Sequence, residues 1–226
     1  MISKLQAVIL AGGKGTRLLK LTKKSPKAMM NVTGKPFIDI LINQLKKEGI
    51  KNFLILSGYK KKKIIDYFQN NKNIKVYSGR TNWNTLTRLK KVKKLISNYF
   101  LLMYCDNYLT NFNLIRQVEI FKRKKCPIVL SVVKKKEGQK GTVVIKGDII
   151  RYKKDMQSVY TEAGYMLIKK KIFFQAIEKN KKNIEDILEN FSKNNKLTYL
   201  NYKDAFYCIE NKKFLNETRN YFRKIK

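Results

Sequence analysis

The chain lacks histidine altogether, has three prolines and three cysteines, and sets 16 acidic residues against 51 lysines and arginines, a formal net charge of +35 over 226 residues. Each shortage excludes something. Without imidazole there is no Ser-His-Asp triad, no Cys-His pair and no His-ligated zinc. Acid, base and metal chemistry falls to carboxylates, lysines and arginines. Cys105, Cys126 and Cys208 are odd in number and show no C-x-x-C spacing, so neither a disulfide framework nor a zinc knuckle is expected, and they fit a reducing cytosol. No apolar run approaches the ~20 residues of a membrane span. The run AVILA at 7–11 is too short for a secretory core and ends in glycines. The expectation is a cytoplasmic protein with no membrane insertion.

What is present is enough for a real core: 43% hydrophobic and 12% aromatic residues, in a length that suits one domain. The lysines occur in nearly every segment and are mixed with Asn and Ile. They form no single basic tail, and no RNP, zinc-finger or GXXG module is visible, so dedicated nucleic-acid binding is not expected. A positive surface of this kind draws polyanionic small molecules such as nucleotides and sugar phosphates towards a cleft.

Apolar runs of strand length alternate with helical periodicity. Leu5 to Leu10 reads as a buried strand. Phe37, Ile38, Leu41, Ile42 and Leu45 mark an amphipathic helix closed by Gly49. A strand over Phe53 to Leu56, a helix with Ile64, Ile65 and Phe68, and a strand over Ile74 to Tyr77 follow. Thr85 to Ile96 reads as helix, Tyr99 to Tyr104 as the central strand, and Leu114 to Lys124 as helix. This order predicts an α/β fold, a mostly parallel mixed sheet with helices on both faces. After Pro127 the pattern is richer in strands: Ile128 to Val133, Thr142 to Ile145, Ile149 to Tyr152 and Gly164 to Ile168. Helices over Lys170 to Glu178 and Ile184 to Lys193, a strand over Leu197 to Tyr202 and a basic helix carrying Phe214, Leu215, Tyr221 and Phe222 complete it. Residues 1–226 read as one domain, with a first half (1–125) and a strand-rich second half (126–226).

Ligands of open α/β sheets gather at the carboxyl ends of the strands. Two loops there stand out, Ala11 to Lys27 and Cys105 to Asn107. The first reads LAGGKGTRLLKLTKKSPKAMMNVTGKP from Leu10. No Walker A pattern can be laid on it, and the dinucleotide fingerprint would need glycine where Leu18 stands. Gly12, Gly13 and Gly15 let the backbone approach a phosphate and offer amide donors, although glycines alone also serve a tight β–α turn. Arg17 and Lys27 supply cations.

The stretch Leu10 to Pro36 resembles the signature of sugar-phosphate nucleotidyltransferases, L-A-G-G-x-G-x-R-L through P-K-x-M to G-K-P. The resemblance continues more weakly. Trp83-Asn84-Thr85-Leu86-Thr87 stands where that family often has L-G-T-G-G near base and ribose. Cys105-Asp106-Asn107 resembles its metal-binding G-D-N turn. Tyr152-Lys153-Lys154 sits where a family lysine meets the sugar phosphate, and Glu162-Ala163-Gly164 resembles the segment contacting sugar hydroxyls. The resemblance implies a Rossmann-like αβα three-layer sandwich. It also implies a reaction in which a sugar 1-phosphate attacks the α-phosphate of an NTP to give an NDP-sugar and pyrophosphate, with Mg²⁺ as cofactor.

On that resemblance Leu10, Ala11, Gly12, Gly13, Gly15, Thr16, Asn84 and Thr85 bind the nucleotide. Arg17 braces the β- and γ-phosphates, Lys27 bridges the α-phosphate and the incoming phosphate, and Asp106 holds Mg²⁺. Lys154 (or its neighbour Lys153), Glu162 and Gly164 meet the sugar phosphate. A histidine-free site suits this chemistry, which needs positioning and charge neutralisation above all. The short length and the N-T-x-x-R and Y-x-K segments look most like the heptose- or mannose-1-phosphate guanylyltransferase branch, which makes GTP the first choice. A cytidylyltransferase acting on a non-sugar phosphate such as phosphocholine, and a catalytically weakened homologue, are the rivals. A homodimer through the C-terminal region is compatible with the pattern. Three departures stand out. Cys208 in Phe206 to Asn211 occupies the position of a second metal aspartate, with Glu210 as a candidate substitute. Leu86 and Thr87 replace glycines near the base, and Leu19-Lys20 replaces the usual x-P.

Overall fold

A computed structural model describes residues 2–178, 183–203 and 206–225, with the side chains of Leu19, Lys20, Lys154, Asp155 and Met156 outside the description. The first half lays down β1 (Gln6–Ala11), α1 (Leu19–Thr22), α2 (Phe37–Lys47), β2 (Asn52–Ser57), α3 (Lys61–Phe68), β3 (Ile74–Ser78), α4 (Thr85–Lys91), β4 (Tyr99–Tyr104), β5 (Asn107–Leu109) and α5 (Leu114–Lys124). The second half adds β6 (Ile128–Lys134), β7 (Gly141–Lys146), β8 (Ile149–Met156), β9 (Tyr160–Lys169), α6 (Lys170–Glu178), α7 (Ile184–Lys193), β10 (Leu197–Tyr202), β11 (Phe206–Cys208) and α8 (Lys212–Lys224). Among the described residues, the main sheet runs β10-β6-β9-β4-β1-β2-β3, with β7 beside β9 and β8 beside β7. β1 pairs in parallel with β2 and β4, β2 with β3, and β6 with β10, while β9 is antiparallel to both β4 and β6.

Burial on both faces explains the unbroken apolar runs of β1, β2 and β4. Ala7, Ile9, Phe53, Ile55, Leu101 and Met103 face a core shared with α2, α3, α5 and α8. Val8, Leu54, Leu56, Phe100 and Leu102 face the other way, onto α4, α6 and α7. The result is the Rossmann-like αβα sandwich. No helix among the described residues is long and apolar enough to cross a membrane.

The boundaries depart from the sequence reading in four main places, one being β8, which runs four residues past Tyr152 to Met156. The helix over Thr85 to Ile96 stops at Lys91, where the Val92 amide bonds to the Leu89 carbonyl, and Lys93–Leu95 form a tighter 3-10 turn. β9 begins four residues before Gly164, because its first half, Tyr160 to Ala163, mixes polar with apolar residues. Asn107–Leu109 and Phe206–Cys208 pair antiparallel as a separate two-stranded ribbon, too short to show periodicity.

Leu102 is fully buried at the middle of β4. Leu102→Ala is expected to destabilise the chain by about 3 kcal/mol through lost transfer energy and a residual cavity. Urea denaturation checks this, with an unchanged slope and a lower midpoint.

Candidate active site

In the β1–β4 ladder Leu10 stands opposite Tyr104, so the chains leaving both strands emerge together at the carboxyl edge. Between them lies a cavity of about 480 Å³, lined by Leu10, Gly12, Gly13, Gly15, Lys27, Trp83, Asn84, Thr85, Arg88, Tyr104, Cys105 and Asp106. Lys27 opens a 3-10 turn after Pro26, and its Nζ lies 2.5 Å from Asp106 Oδ2, with the two side chains 15% and 26% exposed. The glycine loop, a lysine and the strand-end aspartate therefore form one polar floor. Asn84 also caps α4, its side-chain oxygen accepting from the Thr87 amide at 2.8 Å.

Tyr104 also lines a second cavity of about 530 Å³, which includes Tyr152, Glu162, Glu185, Arg17 and Glu210. Glu162 is 8% exposed. Burial pushes its carboxyl up from 4.5 to about 8, the charges of Glu185 and Asp106 push the same way, and a hydrogen bond from the Gly164 backbone opposes them. Glu185 sits in the first turn of α7, behind an Asn183–Asp186 capping box, where the positive end of the helix dipole favours a carboxylate. Gly164 has φ +82°, and a Cβ there would come within 2.7 Å of Asn107 Nδ2. Its lack of a side chain lets β9 close on the turn after β4, where Asn107 Nδ2 donates to the Ala163 carbonyl at 3.1 Å.

The structure thus brings Leu10, Gly12, Gly13, Gly15, Lys27, Asn84, Thr85 and Asp106 to one cavity and Glu162 to its neighbour. Other candidates stand apart. Ala11 is buried in the strand, and Thr16 is exposed on the 3-10 turn Thr16–Leu18; neither lines either cavity. Arg17 lies outside the glycine-loop cavity, its guanidinium bonded to Glu210 on the rim of the second. Lys153 is exposed, and the Lys154 side chain lies outside the described residues. The 206–211 segment does lie beside Asp106, whose carbonyl accepts from the Ile209 amide at 2.9 Å. Cys208 there is buried, and burial, with the Asp106 charge adding, pushes its thiol up to about 12. A thiol also lacks the hard oxygen that Mg²⁺ takes from an aspartate. Glu210 turns to Arg17 instead. Among the described residues no group of three His, Cys, Asp or Glu side chains could enclose a metal.

The residue that sequence reasoning gave no role is Arg88. It is 4% exposed. Its guanidinium donates to the carbonyls of Ser57 at 2.6 Å, Arg80 at 2.7 Å, Gly12 at 3.3 Å and Thr81 at 3.5 Å. The N-T-x-x-R spacing was the one available signal, since it puts the arginine one turn into α4 from the Asn84 cap.

Residues 6–207 match the nucleotidyl transferase family model, and the chain belongs to that family. It is 31% identical over 182 residues to the bifunctional protein GlmU of Methanocaldococcus jannaschii, covering 78% of this chain and 43% of that protein. It is 36% identical over 107 residues to choline-phosphate cytidylyltransferase of Streptococcus pneumoniae, 46% of each chain. It is 43% identical over 65 residues to D-glycero-alpha-D-manno-heptose 1-phosphate guanylyltransferase of Campylobacter jejuni, 29% of each. The matches to these relatives span less than half of their length. A crystal structure of a candidate glucose-1-phosphate thymidylyltransferase from Bacillus anthracis superposes with a TM-score of 0.86 at 20% identity, covering 98% of this chain and 96% of that one; it shares the fold.

Glu162 gives this site a pH signature. Between about pH 4.5 and 8 the folded carboxyl keeps a proton that the unfolded chain releases, so stability falls as pH rises through that window. Glu162→Gln is expected to flatten this part of the profile and to raise Tm above wild type at pH 8. Thermal melts from pH 4 to 9 check it.

Proposed function

We propose that the chain is a nucleotidyltransferase that joins an NTP to a sugar 1-phosphate, with GTP as first choice, releasing pyrophosphate and forming an NDP-sugar. The observation that carries the reading is Lys27, held 2.5 Å from Asp106 on the floor of a glycine-lined cavity that shares Tyr104 with a second, carboxylate-lined one. In this reading the first cavity takes the nucleotide and the second the acceptor. An acceptor phosphate oxygen attacks the α-phosphorus, the bond to the pyrophosphate oxygen breaks, and the electron pair leaves with pyrophosphate. Lys27 sits where charge accumulates during that exchange and neutralises it. The backbone amides of Gly12, Gly13 and Gly15 orient the triphosphate. Arg17, 72% exposed at its side chain and paired with Glu210 on the rim of the second cavity, braces the leaving phosphates by giving up Glu210 and swinging towards the mouth of the first. Lys154 steadies the acceptor phosphate, and Glu162 accepts or donates to acceptor hydroxyls according to its protonation.

The donor set suits Mg²⁺ in one form only. Asp106 would hold the ion together with phosphate oxygens and water, and the ion would supply neutralisation of phosphate charge. Lys27 and Asp106 form an ion pair at 2.5 Å, so the two side chains would offer one cation to phosphate oxygens and one carboxylate to the ion. The choice of GTP rests on the N-T-x-x-R and Y-x-K segments and on the similarity to the Campylobacter jejuni guanylyltransferase. A second reading has its own observation. Glu185, in the second cavity with Tyr104 and Tyr152, would also suit a quaternary ammonium through charge and ring faces, with Glu162 adding its charge only once ionised. The similarity to choline-phosphate cytidylyltransferase of Streptococcus pneumoniae points the same way, towards CTP and a phosphate such as phosphocholine.

A thermal-shift screen of four NTPs with Mg²⁺, followed by pyrophosphate release with sugar 1-phosphates or phosphocholine, separates the two. Stabilisation by none of the NTPs overturns both. Within the active pair, Lys27→Ala is expected to lower kcat by about 10²–10³-fold with Tm nearly unchanged, because a part-exposed ion pair contributes little to folding. Lys27→Arg restores part of the rate, since a planar guanidinium cannot place one point charge between two phosphates in the same way. Lys61→Ala, on exposed α3, serves as the control. Equal activity in the Lys27→Ala and Lys61→Ala proteins removes the catalytic role from the loop.

A further inference from the structure

We infer that Arg88 is a positioning residue for the nucleotide's phosphates, acting through the Gly12–Gly13 peptide; the inference rests on the reading of the glycine-lined cavity as the nucleotide site. The Gly12 carbonyl is held by two donors, Arg88 Nη2 at 3.3 Å and the Tyr59 amide at 3.1 Å. A peptide is planar and trans, so its carbonyl and its following N–H point in opposite directions. Fixing the Gly12 oxygen therefore fixes the Gly13 N–H, directed away from Arg88. Glycines on both sides of that peptide leave it free to rotate, since neither carries a Cβ to restrict φ and ψ. The two donors supply the restriction that the sequence omits.

The surroundings of Arg88 are built for this. The same guanidinium ties the end of β2 through the Ser57 carbonyl and the loop before α4 through Arg80 and Thr81. Three backbone stretches that shape the cavity are thus pinned by one side chain. Those four partners are carbonyls, and no ion pair within 4.0 Å joins Arg88 to a carboxylate among the described residues. A guanidinium keeps its charge in proteins. Here that charge stands uncompensated in the wall of the cavity and is available to a polyanion. A Cβ at Gly12, Gly58 or Gly79 would overlap the guanidinium, so the backbone closes around it on three sides.

The test uses the full chain as wild type, Arg88→Lys and Arg88→Met. For each, calorimetry gives Kd for the triphosphate that stabilises wild type most, with Mg²⁺, and for its nucleoside alone. Arg88→Met is expected to weaken triphosphate binding roughly tenfold to hundredfold and to leave nucleoside binding unchanged. Arg88→Lys, which keeps the charge and loses the fork, falls between. If Arg88→Met does not fold, Arg88→Lys carries the test alone, supported by a shift of the Gly13 amide ¹⁵N resonance in the unliganded protein. Equal losses for triphosphate and nucleoside indicate general collapse of the cavity and overturn the inference, as does an unchanged triphosphate Kd in the variants. Failure of wild type to bind any triphosphate falls instead on the nucleotidyltransferase reading beneath it.

Discussion

The parallel pairing of β1 with β4 is the constraint on which the rest depends. It sets Leu10 against Tyr104, and so delivers the glycine loop and Asp106 to the same edge at the same depth. A slip of either strand by one residue would turn its side chains to the opposite face, taking Ile9 or Met103 out of the core they share with the helices on one face. The register of the two strands therefore sets the polar geometry above them. Lys27 meets Asp106 because two core strands bury their side chains in one register.

Against a net charge of +35, the placing of acids carries information. Four of the 16 acidic residues, Asp106, Glu162, Glu185 and Glu210, line the two adjoining cavities. The surface attracts phosphates from a distance, while the acids inside partner two of the cations there: Asp106 holds Lys27, and Glu210 holds Arg17. Glu162 has no such cation among its causes of shift, and burial keeps it largely protonated below about pH 8. The cavity interior is thus far less positive than the body of the protein. An anion entering it displaces existing contacts, which favours ligands that replace them in the right places.

Much of this was legible beforehand, for identifiable reasons. The strands β1, β2 and β4 are apolar on both faces, and the glycine loop has residue types that few other structures need at that spacing. Less legible were features set by contacts between distant segments. The early start of β9 is stabilised by pairing with β6, Val132 opposite Glu162, across a bulge that no local period reveals. The three-residue ribbon of β5 and β11 exists because Cys208 finds Asn107 in space. Arg17 reads as a phosphate ligand from its neighbours in sequence, yet its partner is 193 residues away. Arg88 looks like one more cation in a basic helix until its burial is seen.

That burial also bears on how such a chain can change over generations. A side chain at 12, 58 or 79 meets the guanidinium while arginine stands at 88, and at 58 it also meets the Gly12 carbonyl. The dependence is one-sided. A lineage that first exchanges the arginine for a small residue opens the space at Gly12 and eases Gly79, while Gly58 stays closed by the Gly12 carbonyl 2.7 Å from where its Cβ would lie, so part of a different wall becomes reachable by single steps. A lineage that keeps it has three positions frozen by a fourth, so diversification of this side of the pocket must begin at residue 88.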